Sequence, residues 1–130
     1  MIRSDREDQP VTLELPKSVP AIDGEVVSSR RWANRTQHAA RAVGGRLYLT
    51  NLRVVFCPHT VDAALAGEFW WAPLQDIAEV GKEKRNFRQI YGGGLRTRMK
   101  ITLRDGTAEL FVVNKLDHAI EEIRTTANLA

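Results

Sequence analysis

The stretch GGRLYLTNLRVVF, Gly44 to Phe56, decides the fold. Apolar residues alternate through Leu47 and Leu49, break at Thr50-Asn51, and alternate again through Val54 and Phe56. Period-two alternation on both sides of a short polar break is the pattern of two β-strands joined by a tight turn. Leu47 and Leu49 share one face of the first strand, and Val54 and Phe56 share one face of the second.

Outward from this hairpin, the chain offers five more strands. Upstream lies EVVSSRRWA, Glu25 to Ala33, in which Val27 and Trp32 cannot share a face without a bulge or bend. NRTQHAARAVGG, which follows it, reads as a polar loop. Downstream, FWWAPL is extended, with the adjacent Trp70 and Trp71 on opposite faces. DIAEVGKEK is read as a strand from its β-branched Ile77 and Val80. MKITLRDGTAELFVV holds two alternating runs around Asp105-Gly106, a strong hairpin-turn pair. VTLEL, Val11 to Leu15, is a possible extra strand in an N-terminal arm of residues 1–24, with the domain proper at 25–130.

The last element is a helix. Leu116, Ile120, Ile123 and Ala127 recur at helical spacing and form one apolar stripe. Asn114 is the expected N-cap, which places Asp117 at N3, where a carboxylate suits the positive end of the helix. The tally is seven strands and one amphipathic C-terminal helix able to plug the open mouth of a bent sheet.

The 130 residues suit one domain, and 43% hydrophobic content supports a core. No apolar run reaches membrane-spanning length, and MIRSDREDQP lacks the basic-then-apolar character of a signal peptide. The single cysteine, Cys57, excludes an intrachain disulfide. These features predict a cytoplasmic protein, peripheral to the membrane if it binds one. The net charge of +3 conceals segregation. Residues 28–53 hold six arginines and no acid, and residues 82–100 hold seven cations against Glu83, so the remainder is acidic. Segregated charge of this kind attracts anions.

GRLYLTNLRVVF, then APLQDIAEV, then MKITLRDGTAELFVV ahead of the helix, resembles the GRAM domain of the pleckstrin-homology-like superfamily. The residues that carry the likeness are Gly45, Leu47, Tyr48, Leu49, Thr50, Asn51, Arg53, Val54 and Phe56, then Pro73, Leu74, Asp76, Ile77 and Val80, then Ile101, Leu103, Asp105, Gly106 and Phe111. The likeness implies a mainly β, PH-like fold: a bent seven-stranded barrel or sandwich capped by the C-terminal amphipathic α-helix. It also implies a binding domain for phosphoinositides, other anionic lipids or protein segments. Within that fold, phosphoinositides sit by the loop between the first two strands, here Asn34 to Gly44 with Arg35, His38 and Arg41. No Lys-x-Arg pattern of tight inositol-phosphate binders is present, and topology places the second basic block at the other end of the barrel.

Catalysis finds little support. Cys57 and His59 could share a face, but a nucleophile also needs an orienting group, and Cys57 ends a core strand as a small packed hydrophobe. One Cys and three scattered His residues give no metal spacing, and no cofactor is expected. YGGGLR lacks the Lys-Ser/Thr ending and following helix of a phosphate loop. The better signal is LRTRMKITLR, where Arg96, Arg98, Lys100, Thr102 and Arg104 alternate with Met99, Ile101 and Leu103. That pattern predicts an outer ladder of cations spaced ~6.6 Å apart. RNFRQIY sets Phe87 and Tyr91 among Arg85 and Arg88, a mixture suited to an interface.

The expectation is a non-enzymatic domain that binds anionic lipid through Arg35, Arg41, Arg85, Arg88, Arg96, Arg98 and Lys100. Phe87, Tyr91 and Trp71 are its interface aromatics. A protein-interaction module using a sheet edge or helix-side groove is the alternative, and nucleic-acid binding is third.

Overall fold

The computed structural model describes residues 13–38, 41–59, 69–84 and 96–129, with the side chains of Gln37, His38 and Arg41 excepted. Its strands are β1 (Val27–His38), β2 (Arg41–Thr50), β3 (Arg53–Pro58), β4 (Trp70–Pro73), β5 (Ile77–Glu83), β6 (Arg98–Leu103) and β7 (Ala108–Val113). One helix, α1 (Leu116–Thr126), follows. They form one antiparallel seven-stranded sheet in the order β4-β3-β2-β1-β7-β6-β5. The sheet is bent rather than closed into a barrel.

β1 makes the bend. Its length pairs with β2, while Ala33, Asn34 and Arg35 also pair with Val113, Val112 and Phe111 of β7. The irregularity expected in β1 is a register shift between Val27 and Ser29. The expected loop from Asn34 to Gly44 is not one: β1 and β2 continue as paired strands, with Asn34 opposite Gly44 and Thr36 opposite Ala42. The segment is polar because its outward positions meet solvent, and backbone pairing makes no demand on hydrophobicity. VTLEL forms no strand over its described residues 13–15.

The core lies between the inner faces of the bent sheet and α1. Leu47, Leu49, Val54, Phe56, Ile77, Val80, Met99, Ile101 and Phe111 are buried there, with Ala119, Ile120 and Ile123 from the helix. Leu103 and Leu116 pack against this core but are only partly buried. Phe111 sits 5.7 Å from Phe56 and 5.6 Å from Trp70, in tilted ring pairs. Ile120→Ala is expected to cost about 2–5 kcal/mol in a denaturation experiment, because a branched side chain leaves a cavity among rigid strands.

Local chemistry sets the turns. Asp105 accepts from Thr107 N at 2.9 Å and Thr107 Oγ1 at 2.6 Å, and Gly106 takes φ 94°. Those Thr107 bonds hold the Asp105 carboxyl below its ordinary pKa. At α1 the N-cap is Lys115 rather than Asn114. Lys115 adopts a left-handed conformation, φ 52° and ψ 56°, with no side-chain capping bond. This sharp reversal out of β7 starts the helix one residue later, and Asp117 stays in the first turn. Glu122 ties the helix to β1, accepting from Arg31 Nη2 at 2.6 Å and Ser29 Oγ at 2.9 Å.

Candidate functional site: the outer face of β1–β4

Tyr48 and Val55 point away from the core, yet both are buried. The N-terminal segment covers them. Val19, 3% exposed, packs on Tyr48 and Val55, and Leu15, Val27 and Cys57 close the cluster. Residues 13–25 therefore act as a strap across the outer face of the first strands.

The polar residues of the opening stretch fasten this strap. Thr50 Oγ1 accepts from the amides of Leu52 at 3.0 Å and Arg53 at 2.9 Å, which closes the β2–β3 turn, and donates to Glu25 Oε2 at 2.8 Å. Arg53 donates from Nε to Glu25 Oε2 at 2.8 Å and from Nη2 to Glu25 Oε1 at 3.0 Å, and also to the Pro20 carbonyl at 2.8 Å. The Asn51 side chain accepts from Val26 N at 2.7 Å and donates to Gly24 O at 3.1 Å. Burial raises the Glu25 pKa. The hydrogen bonds from Arg53, Thr50 and the Ile22 amide, with the Arg53 charge, outweigh it and hold the carboxyl below the ordinary glutamate value.

Beyond the strap, the same face opens into two clefts that share His59. One, of about 220 Å³, is lined by Trp32, Asn34, Gly45, His59, Arg96 and Asn114, with Ala33, Val112 and Val113 beside them. The other, of about 440 Å³, lies between the strap at Pro16 and Ser18 and the strand residues Arg46, Tyr48 and Cys57. Cross-strand register builds them, with Trp32 opposite Arg46 and Arg46 opposite Cys57. The Arg46 guanidinium stands 4.4 Å from the Trp32 ring centroid, and the His59 ring 5.3 Å from it. His59 N donates to Gly44 O at 3.0 Å, which fixes the imidazole's base on β2. No carboxylate lines either cleft among the described residues. The first cleft is below the ~300–1,000 Å³ usual for small-molecule sites, so it suits one small polar group rather than a cofactor.

The expected site residues separate. Arg35 is a β1 residue whose Nε donates to Glu109 Oε1 at 2.7 Å. Lys100 stands 3.8 Å from Glu83. Arg98 is not a rung of an exposed ladder. It points away from Met99 as alternation requires, but it is 0% exposed and donates from Nη1 to Thr36 Oγ1 at 3.3 Å. Both faces of β6 are covered at this point, which alternation alone does not reveal. Arg96 is exposed and lines the smaller cleft. Trp71 is exposed on the outer face, while Trp70 packs on the core. Arg41 begins β2, and its side chain lies outside the described residues, as do Arg85, Phe87, Arg88 and Tyr91.

Sequence reasoning missed the grouping of Trp32, Arg46 and His59 with Arg96. Arg46 of the first basic block and Arg96 of the second line different clefts, and His59 lines both. Only the register of β1, β2 and β3 carried that signal. Among the described residues no group of His, Cys, Asp and Glu is arranged to hold a metal ion, and no helix is long and apolar enough to cross a membrane.

No family model and no curated protein matches the sequence. Solved structures are similar to the chain. The chain resembles the C-terminal domain of an unknown protein from Leishmania infantum, with TM-score 0.62, 12% identity, and coverage of 81% of this chain and 86% of that one. It resembles the Vps36 N-terminal PH domain, with TM-score 0.58, 15% identity, and coverage of 84% and 83%. It also resembles the linker-DH/PH domains of p115-RhoGEF, with TM-score 0.57, 8% identity, and coverage of 82% of this chain and 30% of that structure. At these identities the likeness carries the fold alone, and the fold is PH-like.

Proposed function

We propose that this chain is a GRAM-like, non-enzymatic binding domain that engages an anionic membrane surface. The observation that carries the reading is the set of cations on the outer face. Arg30, Arg46 and Arg96 have no carboxylate partner among the described residues, while Arg31, Arg35 and Arg53 are consumed in ion pairs within the fold. Cations without counter-charges beside an exposed tryptophan suit a lipid headgroup layer. The GRAM reading draws on Gly45, Thr50, Asn51 and Arg53, each of which has a specific task in the hairpin and its strap. The peptide-binding alternative draws on β4 and β5, the two edges of the sheet. Nucleic-acid binding, the third reading, draws on the two basic blocks, and the burial of Arg98 removes one rung of the cation ladder for lipid and nucleic acid alike.

Co-sedimentation with phosphatidylserine-containing and neutral phosphatidylcholine vesicles tests the proposal. The protein should pellet with the first and not the second. Arg30→Ala, Arg46→Ala and Arg96→Ala combined should weaken binding by about 2–3 kcal/mol at low salt, each cation contributing ~1 kcal/mol. That difference should fade as salt shortens the screening length. Equal binding to neutral vesicles would refute the electrostatic reading.

A further inference from the structure

Five large hydrophobic side chains are exposed among the described residues: Ile22, Val26, Trp32, Phe69 and Trp71. None comes from α1 or from β5 to β7. Trp32 lies in the row that runs through Arg46 and Cys57, and Trp71 stands opposite Val55 in the next row. Phe69, immediately before β4 and two residues from Trp71, is exposed as well. Ile22 and Val26 come from the strap and its junction with β1. The exposed apolar surface is thus gathered on the outer face of β1–β4 and its strap.

We infer that this face is the membrane-contacting surface of the domain, with Trp32, Phe69 and Trp71 entering the headgroup region of an anionic bilayer. The inference rests on the membrane reading above and adds the surface and the inserting residues. Tryptophan rings with one apolar body and one polar N–H settle at the boundary between headgroups and acyl chains. Here one, 56% exposed, is presented with a cation stacked on it, since Arg46 lies over Trp32. Arg30, two residues from Trp32 on the same strand face, adds a second charge. Arg53 lies 5.0 Å from the Trp71 centroid, but its charge is committed to Glu25, so that edge is aromatic and close to neutral. Three strand spacings separate β1 from β4, giving an aromatic-edged footprint ~14 Å wide. The hairpin side offers less: Arg35 is bound to Glu109, and on the helix side Arg31 and Lys82 are bound to Glu122 and Asp117. What marks the outer face for a negative bilayer is the pairing of exposed tryptophan rings with Arg30 and Arg46, which have no carboxylate partner among the described residues.

Tryptophan fluorescence on phosphatidylserine/phosphatidylcholine vesicles with brominated acyl chains tests this. Wild-type emission should be quenched on binding. The double variant Trp32→Phe/Trp71→Phe keeps its aromatic rings and Trp70, so it should still bind but lose most of the quenching. Trp32→Ala should lower the partition coefficient roughly tenfold, as expected when an interfacial ring is removed, and thermal melts of each variant exclude misfolding as the cause. If wild-type protein binds anionic vesicles without quenching, and Trp32→Ala binds as tightly, this face is the wrong surface and the membrane reading survives. If wild-type protein does not bind anionic vesicles, both fail. If it instead forms a dimer that Trp32→Ala dissolves, a second copy covers the face and the inference is overturned.

Discussion

Glu25→Ala is expected to destabilise the protein by about 3–5 kcal/mol, the cost of leaving one partner of a buried ion pair without the other. The Glu25 and Arg53 side chains are only 3% and 4% exposed, and the guanidinium donates to both carboxylate oxygens. Removing the carboxylate strands the Arg53 charge, leaves the Thr50 hydroxyl only the Arg53 carbonyl at 3.2 Å as acceptor, and unfastens the strap from the β2–β3 turn. Urea denaturation followed by circular dichroism measures the loss. The double replacement Glu25→Met/Arg53→Met should cost much less, since it removes both desolvated charges together. A pH dependence follows with a definite sign. The Glu25 carboxyl is held below its ordinary value in the folded state. Its contribution is therefore complete above the unfolded glutamate value of about 4.3 and is lost as pH falls from there through the lower folded value. Glu25→Gln should erase that part of the acid dependence while leaving the neutral-pH slope unchanged. A Glu25→Ala protein as stable as the wild type would show that the Glu25–Arg53 latch contributes nothing to the fold.

Gly45→Ala should cost about 3 kcal/mol or more, at the upper end for overpacking, because backbone stands in the way. A Cβ at this position would lie 2.3 Å from the Cys57 carbonyl oxygen, 2.7 Å from Pro58 Cα and 2.9 Å from Phe56 Cζ. Relief requires β2 and β3 to separate where Gly45 pairs with Pro58. That movement would also displace His59 from Gly44 and open the shared edge of the two clefts. Gly44→Ala is the milder control. Its Cβ would meet only side-chain atoms, Asn34 Oδ1 at 3.1 Å and His59 Cδ2 at 3.2 Å. The expected order, read from denaturation midpoints, is wild type, then Gly44→Ala, then Gly45→Ala. Equal midpoints for the two variants would contradict the close approach at Gly45.

The opening stretch illustrates what a pattern of residues can and cannot transmit. Leu47, Leu49, Val54 and Phe56 announced their burial, because a strand's two-residue period separates inner from outer positions. Tyr48 and Val55 occupy outer positions, and the alternation that places them there did not reveal that they are buried as well. The strap that covers them is fastened through Glu25 and Arg53, 28 residues apart. Thr50, Asn51 and Arg53 were legible as a motif but not as a latch, since their partners lie in a segment without regular structure. The same gap explains Arg98. Alternation told which way it points, and only the packed structure told that both sides of β6 are covered there.

Seven strands and a C-terminal helix follow from local rules: side-chain period, turn residues such as Asp105-Gly106, and one apolar helical stripe. These need only near neighbours in the chain, so the sequence by itself determined the elements and much of the inner core. The site depended on register and on the bend in β1. Trp32 comes from β1, Arg46 from β2, His59 from just beyond β3 and Arg96 from the far half of the chain, so no local spacing records their placement. The tertiary structure alone decided which arginines are held in ion pairs and which have no carboxylate partner among the described residues, because a charge's pairing depends on what folding places beside it.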